Sequence, residues 1–289
     1  MALRTDAGRR EGNEDSVLSM RLASGALVIA VADGMGGLEL GDVASRTALQ
    51  ALRGAMTSGA TLEEAVKEAN RAVHVRASGR AMGTTLVAAL AEDARVTVAN
   101  VGDSRAYRCT PLGLRRITVD HTHGEEARQA GAAAPTGALA DRWASALTRS
   151  LGTRPEVEVD VFGPFDMDDG ECVLLCSDGV HGVLTDEAIE RWSQDLRDLD
   201  GAVEVLLRSA LDTGSEDNVS AVALHRPSRG RGVQSAALRR KGSAWDPRLL
   251  VERSPVPKPS RFGVKGILLG LIGVAAAVVG GWAVWMRMQ

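Results

Sequence analysis

Three apolar runs in this chain each abut an aspartate, and that repeated junction restricts the fold more than any other feature. "ALVIAVADGMGG" spans Ala26–Gly37, "CVLLCSDG" spans Cys172–Gly179, and "DNVSAVAL" spans Asp217–Leu224. Each run is too short for an ordinary helix and rich in Val, Ile or Leu, so each reads as a buried strand. Asp33, Asp178 and Asp217 therefore stand at strand ends. Taken singly, an Asp-Gly junction is an ordinary turn. Brought together without partners, three carboxylates repel, which raises their pKa values and destabilises the fold. A divalent cation removes that conflict, and ligation by oxygen alone favours Mg²⁺ or Mn²⁺ over zinc.

The neighbouring patterns suggest how such strands are arranged. "RVTVANVGDSRAYRC", Arg95–Cys109, reads as two strands around a Gly-Asp-Ser turn, and with "TTLVAALAE" before it predicts an antiparallel meander. Helices are expected over 41–56, where Ala44, Ala48, Leu52 and Ala55 recur at helical spacing, over 61–75 behind a Thr61/Glu64 capping box, and over 202–212. Hairpins with helices outside them predict stacked antiparallel sheets covered by helices, an α+β arrangement. With 289 residues, 45% of them hydrophobic, the chain has enough apolar material for a large core. Cys109, Cys172 and Cys176 lack metal-ligand spacing and are odd in number, so they read as reduced core residues.

The C-terminal part points to a different solvent. Gly266–Met286 contains 21 residues without a charge, enough to cross a hydrocarbon core of ~30 Å, and Trp282 and Trp285 lie near one end. It reads as a single transmembrane helix. Between it and the first 225 residues, the segment 226–265 carries a net charge of +9 while residues 1–225 carry −13. That segment, interrupted by "SPVPKPS", reads as a disordered basic linker. Positive charge stays on the cytoplasmic side, so residues 1–225 are expected to face the cytoplasm from a single-pass anchor in the cell membrane. The charged opening "MALRTDAGRREGNED" shows no signal peptide. The linker abuts the membrane without interleaved aromatics, so its expected contact is anionic lipid and not nucleic acid.

From Arg4 to Leu224 the chain resembles the metal-dependent serine/threonine phosphatases of the PPM, or type 2C, family in their bacterial form. The resemblance runs in order through "RREGNED", "VADGMGGLELGDVAS", "MGTTLVAAL", "NVGDSRAYR", "ITVDHT", "LTRSLG", "VLLCSDGVHGVLTD" and "EDNVSAVAL". It implies that residues 1–225 form a catalytic domain, a four-layer αββα sandwich with two metal ions, Mn²⁺ or Mg²⁺, at one end of the sheets. By it, Asp33 would bridge both ions, the Gly34 carbonyl would bind one, and Asp178 and Asp217 would hold the other. Asp120 in "VDHT" would match the ligand of a weaker third ion. Glu14 and Asp15 would orient waters, and Arg10 matches the family's phosphate-binding arginine, with Arg9 as the adjacent alternative. A guanidinium suits that task because it is planar, always charged and bidentate.

The implied activity is hydrolysis of phosphoserine and phosphothreonine on proteins by a metal-activated water, with no covalent nucleophile. In context this describes a monomeric, membrane-tethered phosphatase opposing bacterial serine/threonine kinases, membrane kinases among its substrates. Departures from the family's pattern are Leu38, where bacterial members commonly carry histidine, and Asp42 in place of glutamate. With Met35 in the loop, they leave the proton donor to the leaving group unassigned, and His121 is a candidate whose simpler reading is a loop histidine. Leu38 also raises the alternative of a pseudophosphatase that binds phosphoproteins without turnover, and the linker and helix that of a scaffold. The flap between Gly124 and Trp143 is rich in alanine and glycine.

Overall fold

The structure, a computed structural model, describes residues 1–227 apart from 38–39, 134 and 138–139. In chain order its elements begin with β1 (Ala2–Asp6), β2 (Ser16–Arg21), β3 (Leu27–Ala32), β4 (Gly34–Met35), α1 (Leu40–Thr57), α2 (Leu62–Ala77), β5 (Gly83–Thr84), β6 (Leu86–Glu92) and β7 (Arg95–Val101). There follow β8 (Arg105–Thr110), β9 (Gly113–Arg116), α3 (His123–Gln129), α4 (Ala140–Ser145), β10 (Asp160–Asp166) and β11 (Cys172–Cys176). The last are α5 (Asp178–His181), α6 (Asp186–Trp192), α7 (Leu199–Thr213) and β12 (Val219–His225). One five-stranded antiparallel sheet has the order β1-β12-β11-β8-β9, a second has β10-β7-β6-β3-β2, and β4 pairs with β5.

Alternation along the strands builds three apolar layers. Ile29, Val31, Val87 and Val98 of the second sheet meet Val173, Leu175 and Val222 of the first in the middle. Their neighbours Val28, Ala30, Leu86 and Ala88 face α1 and α2. On the other side Leu174, Ala221 and Ala223 pack under Val180, Ile189, Trp192 and Leu206 of α5, α6 and α7. Strands buried on both faces read as unbroken apolar runs, which is why the sequence shows so little alternation there. The result is the four-layer αββα sandwich.

Local signals are realised as read. Thr61 and Glu64 form the capping box of α2, which ends in a left-handed Ser78 with φ 48°. Cys109, Cys172 and Cys176 are free and buried in the layer beneath α5, α6 and α7.

One pairing differs. β6 and β7 form the expected hairpin, but β7 and β8 do not pair: β7 lies between β6 and β10, while β8 lies in the other sheet beside β11. The Gly-Asp-Ser turn is therefore a crossing between sheets. Gly102 makes it with φ +109°, and a Cβ there would press against the Thr85 side chain.

No helix among the described residues is long and apolar enough to cross a membrane. The linker from residue 228 onward and the expected transmembrane helix 266–286 lie outside the described residues.

A carboxylate cleft where the strand ends meet

Antiparallel register brings the aspartate junctions to one end of the sandwich. In one sheet Ser16 pairs with Ala32 and Leu86 with Val101, so the start of β2 and the ends of β3 and β7 coincide. In the other, Cys176 lies opposite both Ala221 and Arg105, and Asp6 lies opposite Val219. There Arg10, Glu14, Asp33, Gly34, Asp103, Asp178 and Asp217 line a cleft of about 430 Å³.

Backbone contacts hold each of these in place. The Asp33 N–H donates to Thr85 Oγ1 at 3.0 Å, and its carbonyl accepts from the Thr84 hydroxyl and the Thr85 N–H, each at 2.8 Å. The Gly34 N–H donates to the Glu14 carbonyl at 3.2 Å. A Cβ on Gly34 would collide with the Gly41 carbonyl, and one on Gly41 with the Glu14 carboxylate. Close approach, and not turn geometry, is what these two glycines provide. Asn218 ties the arginine loop to β12: its Oδ1 accepts from the Glu14 N–H at 2.8 Å, and its Nδ2 donates to the carbonyls of Ala7 and Gly12, each at 2.9 Å.

Arg10 reaches back over that junction. Its Nε donates to the Glu216 carbonyl at 3.0 Å and its Nη2 contacts Asp217 Oδ2 at 2.8 Å. More than half of its side chain stays exposed, at 55%, so donors remain free to meet a ligand. Arg9 is exposed and is not part of the cleft wall, which separates the two arginines that sequence left open.

The acids of the cleft repel one another. Burial first, and then the charges of Asp15, Asp178, Asp103 and Asp217, push the Asp33 carboxyl well above the usual carboxylate range. Burial and the nearby Asp178 raise Asp103 to about 7. Asp15 also rises to about 7 through burial, although the Ser177 hydroxyl donates to its Oδ2 at 2.8 Å. Asp178 is raised by burial and by Asp217. Glu14 is raised by burial, against the pull of Arg10.

This donor set fits a hard divalent cation. The ligating atoms available are all oxygens, and Asp15 Oδ1 and Asp178 Oδ1 are buried without a hydrogen-bond partner. Among the described residues no three acidic, histidine or cysteine side chains already form a closed cage. The mutual repulsion of these acids is the conflict that a cation would relieve.

Two expectations need correction. Asp120 is not in the cleft wall; the Arg105 guanidinium forks onto its two carboxylate oxygens at 2.6 to 3.1 Å, and Arg116 approaches at 3.6 Å. Its charge is satisfied within the protein. The carboxylate that does reach the cleft is Asp103, in the Gly-Asp-Ser segment between β7 and β8. His121 is likewise not in the cleft wall. Its Nδ1 accepts from the Gly102 N–H at 3.0 Å, so Nε2 carries the proton and donates to Asp160 Oδ2 at 3.1 Å. Both ring nitrogens are used, as the simpler reading holds. Around the flap, His123 stacks on Trp143 with ring centroids 5.5 Å apart, and Ser145 and Leu147 reach the cleft.

A sandwich of two antiparallel sheets with a cleft at one end where several carboxylates meet one arginine defines a class of hydrolase. The family model described as protein phosphatase 2C matches residues 6–220. The serine/threonine phosphatase Stp of Listeria monocytogenes is 35% identical over 245 residues, 79% of this chain and 96% of that protein. A solved PPM Ser-Thr phosphatase of Mycobacterium smegmatis superposes with a TM-score of 0.68 at 32% identity, covering 78% of this chain and 97% of that one. The catalytic domain of the phosphatase PstP, solved with two manganese ions, gives a TM-score of 0.64 at 31% identity, covering 77% and 95%. The chain belongs to the protein phosphatase 2C family, the metal-dependent serine/threonine phosphatases.

Proposed function

We propose that this chain removes phosphate from phosphoserine and phosphothreonine on proteins, working from the cytoplasmic face of a bacterial membrane against serine/threonine kinases. The observation that carries the catalytic part is the set of half-buried, mutually repelling carboxylates beside one arginine that keeps more than half of its side chain exposed. Asp33, Asp178, Asp217 and the Gly34 carbonyl would hold two Mn²⁺ or Mg²⁺ ions. Asp103, in place of Asp120, would serve a third together with Asp178. Such ions, when bound, supply Lewis acidity and let water act as a nucleophile near neutral pH.

The chain's own residues do the rest. Arg10 clamps the phosphoryl oxygens, oriented by Glu216 and Asp217. Glu14 in the cleft wall and Asp15 behind it, beside Asp33, would accept hydrogen bonds from water, and Asn218 keeps the Arg10 loop and Glu14 in register. Mn²⁺-supported hydrolysis of p-nitrophenyl phosphate and of a phosphothreonine peptide by the full-length chain, lost in chelator, is the expected result. Chelator-resistant hydrolysis would reject the metal reading; phosphopeptide binding without hydrolysis would favour the pseudophosphatase that Leu38, outside the described residues, suggested.

The membrane part rests on the uncharged stretch 266–286 and on the contrast between +9 in 226–265 and −13 in 1–225. Full-length protein is expected in the membrane fraction, with its catalytic domain digested by protease only after spheroplasts are lysed. Recovery in the soluble fraction, or digestion in intact spheroplasts, would reject that topology.

A further inference from the structure

Asp103 and Asp178 belong to different parts of the sandwich. Asp103 lies on the crossing from β7 to β8, and Asp178 opens α5 behind β11. On the side of the second sheet, the crossing is fastened near Asp33: Ser104 Oγ and Thr85 Oγ1 are hydrogen-bonded at 2.8 Å, and Thr85 Oγ1 also accepts from the Asp33 N–H. The Gly102 carbonyl accepts from the His121 N–H at 3.0 Å. Toward α5, among the described residues, the fastening is the His181 side chain. His181 Nε2 lies 2.9 Å from the carbonyl oxygen of Asp103 itself.

The chemistry of that contact is unambiguous. A carbonyl only accepts, so Nε2 carries the proton and donates. Burial and the nearby Arg105 hold the imidazole down to about 3, so the ring is neutral and the bond is a plain N–H···O=C. His181 closes the turn that Asp178 opens, three residues apart on one helical turn, and residues so spaced share a face. The Gly182 N–H returns to the Asp178 carbonyl at 2.7 Å, closing the turn. The length of one imidazole therefore sets the distance between the backbone bearing Asp103 and the turn bearing Asp178.

We infer that His181 is a positioning residue that fixes the spacing of the Asp103 and Asp178 carboxylates, and with it the affinity for the divalent ion they share. This rests on the metal reading given above. His181 touches neither substrate nor ion; it acts through the Asp103 carbonyl. Groups that orient ligands from one shell out are worth about 10–100-fold in metal affinity.

The test is calorimetric titration of Mn²⁺ into the chelator-stripped full-length chain, compared with His181→Leu, which fills space without donating, and His181→Gln, whose amide nitrogen can stand where Nε2 does. His181→Leu is expected to weaken Mn²⁺ binding at the affected site about tenfold, and His181→Gln less than about threefold. KM for p-nitrophenyl phosphate, set by Arg10, stays within about twofold in both. Thermal melting without metal checks the fold, and if the Leu variant does not fold, His181→Asn, whose shorter amide falls short of the carbonyl, takes its place. Equal losses in the donor and non-donor variants, or wild-type Mn²⁺ affinity in His181→Leu, would overturn the inference. Absence of Mn²⁺ binding by the wild-type chain would instead remove the metal reading beneath it.

Discussion

Asp15, Asp120 and Glu171 are buried to nearly the same depth, with 6%, 7% and 6% of their surfaces exposed, yet the fold treats them in opposite ways. Arg105 and Arg116 neutralise Asp120. Arg108 neutralises Glu171 at 2.7 Å while its guanidinium lies 5.2 Å from the Phe165 ring centroid. Asp15 receives a serine hydroxyl and no cation, and its neighbours Asp33, Asp103 and Asp178 are raised with it. A buried carboxylate normally demands a partner because desolvating it alone is costly. Away from the cleft the chain supplies that partner. Around the cleft it supplies Arg10 to Asp217 and leaves the other acids for an ion to balance.

Replacing an acid in each region sharpens this contrast. Asp33→Asn should lower Mn²⁺-supported kcat by more than about 100-fold, beyond what outer-shell changes cause. The same change should raise the melting temperature of the metal-free chain near neutral pH, because folding no longer has to protonate Asp33 or desolvate its charge beside the other acids. Steady-state kinetics and calorimetry on one preparation read both; a fall in metal-free stability would place Asp33 with the paired acids. Arg10→Ala should raise KM for a phosphate ester by about 10–100-fold, equivalent to roughly 1.5–3 kcal/mol for a lost charge-assisted contact. Arg9→Ala should leave KM unchanged, and the reverse pattern would reassign the clamp.

The smallest effect distinguishes the two acids that sequence confused. Asp120→Ala should lower unfolding free energy by about 1–2 kcal/mol, less than a fully buried pair because Arg105 keeps 20% of its side chain exposed. It should leave Mn²⁺ affinity intact. Asp103→Ala should do the opposite, weakening Mn²⁺ binding without lowering metal-free stability. Denaturant unfolding and Mn²⁺ titration of the two variants check this, and a loss of Mn²⁺ affinity in Asp120→Ala would restore the original assignment.

That confusion shows where sequence is informative. Asp33, Asp178 and Asp217 were legible because an apolar run stopping on an acid is a local pattern, and antiparallel register then carries all three to one end. The Thr61 capping box and the buried cysteines were legible for the same local reason. Asp103 was hidden because "VGDSR" looks the same whether its flanking strands pair or part. The choice is made by Gly102 packing against Thr85, a contact across 17 positions that periodicity does not encode. Asn218 was hidden similarly: its partners Ala7, Gly12 and Glu14 lie more than 200 residues away.

The most direct measurement of whether the cleft is built for an external cation is the melting temperature of the full-length chain against pH, with chelator and with Mn²⁺. Asp15 and Asp103 have folded-state values near 7 against 3.8 unfolded, so between these values the folded chain binds more protons than the unfolded one. Their contribution to stability is therefore lost as pH rises from about 4 through about 7. Acids held low by arginine or histidine, such as Asp160 and Glu125, have their stabilising effect in place above the unfolded carboxylate range, whereas His181, His121 and His225, held below 6.5 by burial, lose stability as pH falls through that value and offset part of the effect. The account predicts that the chelated chain melts lower at pH 8 than at pH 5, and that Mn²⁺ restores it at pH 8 but not in Asp33→Asn. A chelated chain equally stable at both pH values, with no response to Mn²⁺, would contradict it.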